Sequence, residues 1–112
     1  MARLLSAAKY SRQGLLAAYR FEAAFRQEVW LALVLIPAAF LLGDTWLETV
    51  ALAGSVVLLL VVELLNSAVE AVVDRLGDEY HELSGRAKDM GSAAVLLTML
   101  LCAMVWLAIL LN

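Results

Sequence analysis

Glu63, Asn66, Ser67, Glu70 and Asp74 stand at offsets of 0, 3, 4, 7 and 11 in an otherwise apolar stretch. On a helix, at about 100° per residue, these side chains share an arc about 100° wide, so one face is carboxylate-lined and the others are apolar. An ionised acid at the centre of a bilayer costs on the order of 3 kcal/mol on insertion scales, so such a stripe needs partners, protons or cations. The chemistry open to it is proton transfer by an intramembrane acid, or cation binding by paired carboxylates. A polar seam that only holds helices together is the plainer alternative, but single Asn or Ser residues do that with less charge.

Further ionisable groups gather beside the stripe. The run from Asp74 to Met90, DRLGDEYHELSGRAKDM, is the only long hydrophilic stretch and holds Asp78, Glu79, His81, Glu82, Lys88 and Asp89. It reads as a loop over 74–90, with Gly77 and Gly85 as breaks. His81 alone is a weak metal ligand and reads as an ordinary polar loop residue. Glu22 and Arg26, at i and i+4, read by themselves as a solvated helical ion pair. Cys102 is the single cysteine; with no disulfide framework or thiolate cluster available, it reads as a small core hydrophobe.

The elements that must position these groups are membrane helices. The chain has 112 residues, 64% of them hydrophobic, and a mean hydropathy of +0.88, too apolar for an ordinary soluble domain. Three apolar segments can be counted, 29–42, 50–73 and 93–111. The first is short of the about 20 residues a bilayer needs and is expected to borrow Thr45 to Leu47. The resulting single domain has a surface helix and lead-in over 1–28 and spans at about 29–47, 50–73 and 91–111. No cleaved signal peptide is expected, because a long charged segment precedes the first apolar run.

Arg3, Lys9, Arg12, Arg20 and Arg26 precede the first span, and Arg75, Arg86 and Lys88 lie between the second and third. The positive-inside rule therefore places the N-terminus and the 74–90 segment in the cytoplasm. Residues 3–20 alternate cations with apolar side chains, as in a helix lying in the membrane interface, and Gly14 is a point where it should bend. Pro37 should kink the first span. Trp30, Trp46 and Trp106 lie where interfacial aromatic anchors do, and Gly91, Ser92, Ala93 and Ala94 allow close helix approach. Nothing in the charge pattern suggests nucleic acid.

Three functions fit these residues: an enzyme acting on a lipid at the membrane surface, a proton-coupled transporter, or a structural oligomer. From Glu63 to Asp74 the stripe rises about 16 Å at 1.5 Å per residue, ending at the cytoplasmic edge. The outer half of the second span offers only Gly54 and Ser55 as small or polar relief, which favours a one-sided site over a two-sided pathway. The standard nucleotide-binding motifs GxxxxGK[ST] and GxGxxG do not occur, which neither supports nor excludes a phosphotransferase.

From Glu63 through Asn66, Glu70 and Asp74, and on through GDEYHELSGRAKDMGSAA to Ala94, the sequence resembles the prokaryotic diacylglycerol kinase family. The block Glu22-Ala-Ala-Phe-Arg26-Gln27-Glu28 matches a second family segment. The resemblance implies an all-α membrane protein: an N-terminal interfacial amphipathic helix plus three transmembrane helices per protomer, in a homotrimeric bundle of the bacterial inner membrane. It also implies ATP-dependent phosphorylation of sn-1,2-diacylglycerol to phosphatidic acid. By that resemblance Glu63 is the general base, and Glu22 and Glu70 hold Mg²⁺ on the ATP phosphates. Lys88 and Asp89 then contact the nucleotide on its phosphate side, Arg3, Tyr10, Glu79, Tyr80 and His81 contribute further nucleotide contacts, and Asn66 organises the site. Arg26, Gln27, Glu28 and Ser92 border the lipid headgroup. Lys9, Arg12 and Gln13 depart from the family pattern. Relatives that phosphorylate undecaprenol exist in the same superfamily, but the GDEYHELSGR run looks closer to the diacylglycerol branch.

Overall fold

Four helices account for nearly all of the chain: α1 (Ala2–Phe21), α2 (Ala23–Leu42), α3 (Trp46–Arg75) and α4 (Glu82–Leu111). The computed structural model describes residues 1–77 and 81–112, and no strand occurs among them. α2, α3 and α4 are each long and apolar enough to cross a membrane. The all-helical architecture with three apolar spans matches the expectation from sequence.

α3 is the hub, packing against each of the other three helices. Its buried positions, Thr49, Leu52, Ser55, Val56, Leu59, Glu63, Asn66 and Ser67, recur every three or four residues and form one continuous seam. In the first half of α3, Val56 packs with Ala32 of α2 and Cys102 of α4, and Leu35, Ile36, Leu60 and Trp106 close around them. Cys102 is thus the core hydrophobe expected. Ala32 and Ala39 are almost fully buried; their small side chains let α2 approach α3 closely. Many large apolar side chains, such as Leu97, Leu107 and Leu111 of α4, are exposed on the single chain, as surfaces facing lipid or a neighbouring protomer are.

Several local expectations are corrected. α2 does not borrow Thr45 to Leu47: it gains length at its start, from Ala23, and ends at Leu42. Thr45 instead caps α3, accepting from Glu48 N–H at 3.1 Å, while Asp44 N–H donates to Glu48 Oε1 at 3.0 Å. This is close to a capping box, and it satisfies one of the free donors at the start of α3. Gly43 is required there because a Cβ would strike Thr49. Gly14 and Pro37 both lie within continuous helix, α1 and α2 respectively.

The expected loop over 74–90 is largely helix. α3 continues to Arg75 and α4 begins at Glu82, so Gly85 is helical and not a break. His81 starts α4 as its N-cap, Nδ1 accepting from Leu83 N–H at 3.1 Å. Gly77 is the real break: its φ of +118° suits a residue without a Cβ. A polar helical turn can rise above the apolar run because its backbone donors and acceptors are already paired, so charge alone does not mark the end of a helix.

Candidate active site

The α3 stripe grades from buried to exposed. Glu63, Asn66 and Ser67 are buried, Glu70 is half-buried, and Asp74 is exposed. Glu63 is only 5% exposed, which makes it the blind end of a polar line that opens at Asp74.

Asn66 links the acids. Its Nδ2 donates to Glu70 Oε1 at 3.2 Å, and its side chain also lies near the Glu63 carboxyl, one turn earlier on α3. From α2, the Glu28 carboxyl comes close enough to Glu63 for the two acids to influence each other. Glu28 Oε2 and Asn66 Oδ1 are both buried without a hydrogen-bond partner, an unusual state for buried polar atoms. Glu70 and Glu22 act on Glu63 through their charges. Four carboxylates therefore converge around the lower half of α3.

Glu22 is delivered by an elbow. It is the one residue between α1 and α2, with extended backbone at φ −115° and ψ 108°. The elbow is held by the buried Ala18 and Phe25 and by Arg26, whose Nη1 donates to the carbonyls of Tyr19 at 2.7 Å and Arg20 at 3.3 Å. The Glu22–Arg26 ion pair read from the i, i+4 spacing is replaced by this cap; a guanidinium pairs well with the free carbonyls ending α1. Glu22 then lines a cleft of about 670 Å³ between α1 and α3, with Leu15, Ala18, Leu64, Ser67 and Ala71.

At the open end of the stripe, Lys88 of α4 forms an ion pair with Asp74, Nζ to Oδ1 at 2.8 Å. Asp89 beside it is exposed, as are Ser92 of α4 and Gln27 of α2. Arg3 and Tyr10 are exposed on α1 and, seven residues apart, lie on the same side of that helix. His81 is engaged as the α4 cap. Glu79 and Tyr80 lie outside the described residues. The structure thus brings Glu28, Glu63, Asn66 and Glu70 into one cluster with Glu22 close by, sets Lys88 at its mouth, and leaves Arg3, Tyr10, Gln27, Asp89 and Ser92 on the periphery.

A divalent cation fits this donor set. Among the described residues no three acid, His or Cys side chains form a complete metal cage, but Mg²⁺ commonly takes one or two carboxylates and completes its shell with phosphate oxygens and water. Glu22 and Glu70 would supply such hard oxygen ligands.

Sequence reasoning gave Glu28 only a bordering place. The structure brings it beside Glu63, and no single-helix spacing could reveal that, because the two acids sit on different helices. Gly91 was read only as a small residue at a helix contact, yet it packs against Asn66: a Cβ there would strike Oδ1.

The fold and site together define a small three-span membrane protein with a one-sided intramembrane carboxylate site and a cation at its mouth. Residues 9–110 match the family model for prokaryotic diacylglycerol kinase, and the chain belongs to that family. It is 52% identical over 106 residues to a diacylglycerol kinase of Haemophilus influenzae, covering 95% of this chain and 90% of that protein. It is 54% identical over 104 residues to the diacylglycerol kinase of Escherichia coli K12, covering 93% and 85%, and 52% identical over 110 residues to that of Pseudomonas aeruginosa, covering 98% and 89%.

Proposed function

We propose that this protein transfers the γ-phosphoryl group of ATP to the free hydroxyl of sn-1,2-diacylglycerol, giving phosphatidic acid and ADP. The reaction takes place at the cytoplasmic face of the inner membrane, in a homotrimer whose protomers have a cytoplasmic N-terminus. Family membership supports the reaction class, and the GDEYHELSGR run supports diacylglycerol over undecaprenol as acceptor.

The observation that carries the reading is the placement of Glu63: a buried carboxyl at the closed end of a line of polar groups, with Asn66 one turn along α3 and the acids Glu28, Glu70 and Glu22 around it. A lipid hydroxyl lies near the membrane interface and a nucleotide lies in water, so the acceptor's base belongs at the buried end and the phosphate groups at the open end. Glu63 takes the hydroxyl proton as the lipid oxygen bonds to the γ-phosphorus and the bond to ADP breaks. Asn66 holds Glu70 in place, and Glu22 approaches from the α1–α2 elbow. Mg²⁺ held by Glu22 and Glu70 would offset phosphate charge. Lys88, aimed by Asp74, adds positive charge at the phosphates, with Asp89, Arg3, Tyr10, Glu79, Tyr80 and His81 as further nucleotide-side positions. Glu28, Gln27, Ser92 and the Arg26 segment face the headgroup.

Purified protein in detergent micelles, given Mg-ATP with diacylglycerol and undecaprenol side by side, tests the reading, with Glu63→Gln as control. Phosphorylation of diacylglycerol that vanishes in the variant is expected. Preference for undecaprenol would move the protein to the sister activity. Transfer to neither lipid would bring the proton-coupled transporter forward again.

A further inference from the structure

Asn66 is a neutral group between two acids, and its orientation is fixed by chemistry. Its Nδ2 donates to Glu70 Oε1; turned over, the amide would set its oxygen against a carboxylate oxygen, two acceptors facing each other. Oδ1 must therefore point away from Glu70, and it is buried without a hydrogen-bond partner. It points at Gly91 of α4: a Cβ there would collide with Oδ1, and would stand 3.1 Å from Cγ and 3.8 Å from Cβ of Asn66.

Gly91 has no backbone reason to be glycine. It lies inside α4 with no positive φ, where glycine costs about 1 kcal/mol relative to alanine. What its missing Cβ provides is room for the Asn66 amide. The atom in the way is the tip of a side chain and not backbone, and beside it is a pocket of about 420 Å³ lined by Val62, Leu65, Val69, Ala87 and Ala94. A methyl group at position 91 would therefore displace the amide and spare the helices.

We propose that Gly91 is a positioning residue of the active site: its bare Cα seats the Asn66 amide so that Nδ2 points at Glu70. The inference takes its catalytic consequence from the function proposed above, but its structural part is independent of that function. The chain has only two asparagines, Asn66 and Asn112, so selective asparagine ¹⁵N labelling gives two side-chain amide signals in micelles, one from the buried site and one from the terminus.

In Gly91→Ala, the Asn66 amide signal should shift and the Asn112 signal should not. The thermal midpoint should hold or rise, and kcat/KM for Mg-ATP should fall by about tenfold or more, as for other groups that orient metal ligands. In an Asn66→Ala background, Gly91→Ala should cost nothing further, since its effect passes through the amide. Gly54→Ala, which meets nothing within 4 Å, is the control and should leave signal and rate unchanged. An unmoved Asn66 signal, a lowered midpoint, an unaltered rate, or a loss that adds to that of Asn66→Ala would each overturn the proposal. A wild-type protein inactive on lipid but with a shifted Asn66 signal in Gly91→Ala would fault the proposed function instead.

Discussion

Arg26 Nη1 donates to the Tyr19 carbonyl at 2.7 Å, so the first turn of α2 caps the last turn of α1. The guanidinium carbon also stands 5.9 Å from the Tyr19 ring centroid, within cation–π range. Glu22 lies between the two helices joined in this way. The cap therefore fixes where a surface helix delivers a carboxylate to the site.

Arg26→Ala should loosen this elbow by on the order of 1 kcal/mol, the usual worth of a partly exposed hydrogen bond to a free carbonyl. Hydrogen exchange at the last turn of α1 is the measurement, and protection should fall there before it falls in α3. Arg26→Lys should recover only part of it, because an ammonium lacks the planar fork. Unchanged protection in Arg26→Ala would mean that the packing of Ala18 and Phe25 holds the elbow unaided.

Glu63 and the Glu22–Glu70 pair should fail in different ways. Glu63→Gln keeps shape and the proposed metal ligands, so it should lower turnover by about 10²-fold or more with nucleotide affinity retained. Glu70→Gln and Glu22→Gln should weaken Mg-ATP binding, and raised Mg²⁺ should restore part of the rate. Titration of a Mg-ATP analogue alongside turnover separates the two patterns. Equal affinity in all three variants would remove Glu22 and Glu70 from metal binding.

How much of this was legible in the sequence depends on whether one helix or two carry the feature. The stripe from Glu63 to Asp74 was readable because all its members share a helix and a fixed period. The approach of Glu28 to Glu63, the seat of Asn66 against Gly91 and the turn of Arg26 back onto Tyr19 all join different helices, where no spacing rule applies. The boundary of α4 is hidden for another reason: the residues from Glu82 onward are hydrophilic and read as loop, yet a His81 cap and paired backbone groups carry the helix past the apolar run.

Trp106 shows the same limit at the far end of α4. Its indole N–H donates across to α3, to Leu52 O at 3.1 Å and Ser55 Oγ at 3.2 Å, a link between helices that no spacing discloses. Ser55 Oγ in turn donates to Leu52 O at 2.8 Å and lies 3.4 Å from Cys102 Sγ. Trp106→Phe should therefore lower stability by about 1 kcal/mol through the lost α3–α4 bonds. Because Leu52 lies about 16 Å along α3 from Glu63, the kinetic constants should stay unchanged. The unfolding midpoint in mixed micelles, measured with turnover, checks both parts. A fall in kcat with an unchanged midpoint would contradict this assignment.

Lys88 and Asp74 present the opposite case, a contact worth little to the fold and, in the proposed function, much to the site. Their side chains are 45% and 67% exposed, so solvent and salt screen the pair and neither partner should matter greatly for stability. What the pair does is hold the ammonium at the mouth of the stripe, where the proposed phosphates arrive. Lys88→Met removes the charge itself and should lower kcat/KM for Mg-ATP by about 10²-fold, the scale of losing a donor aimed at developing negative charge. Asp74→Asn leaves the charge but frees its position, so the loss should be only a few-fold, on the order of the ordering that one exposed side chain had gained. It should fall mainly on KM. Steady-state kinetics of the two variants at low and high salt make the comparison, and the gap between wild type and Asp74→Asn should narrow as salt screens the pair. Matching losses in both variants, accompanied by a lowered unfolding midpoint, would make the pair a structural tie between α3 and α4.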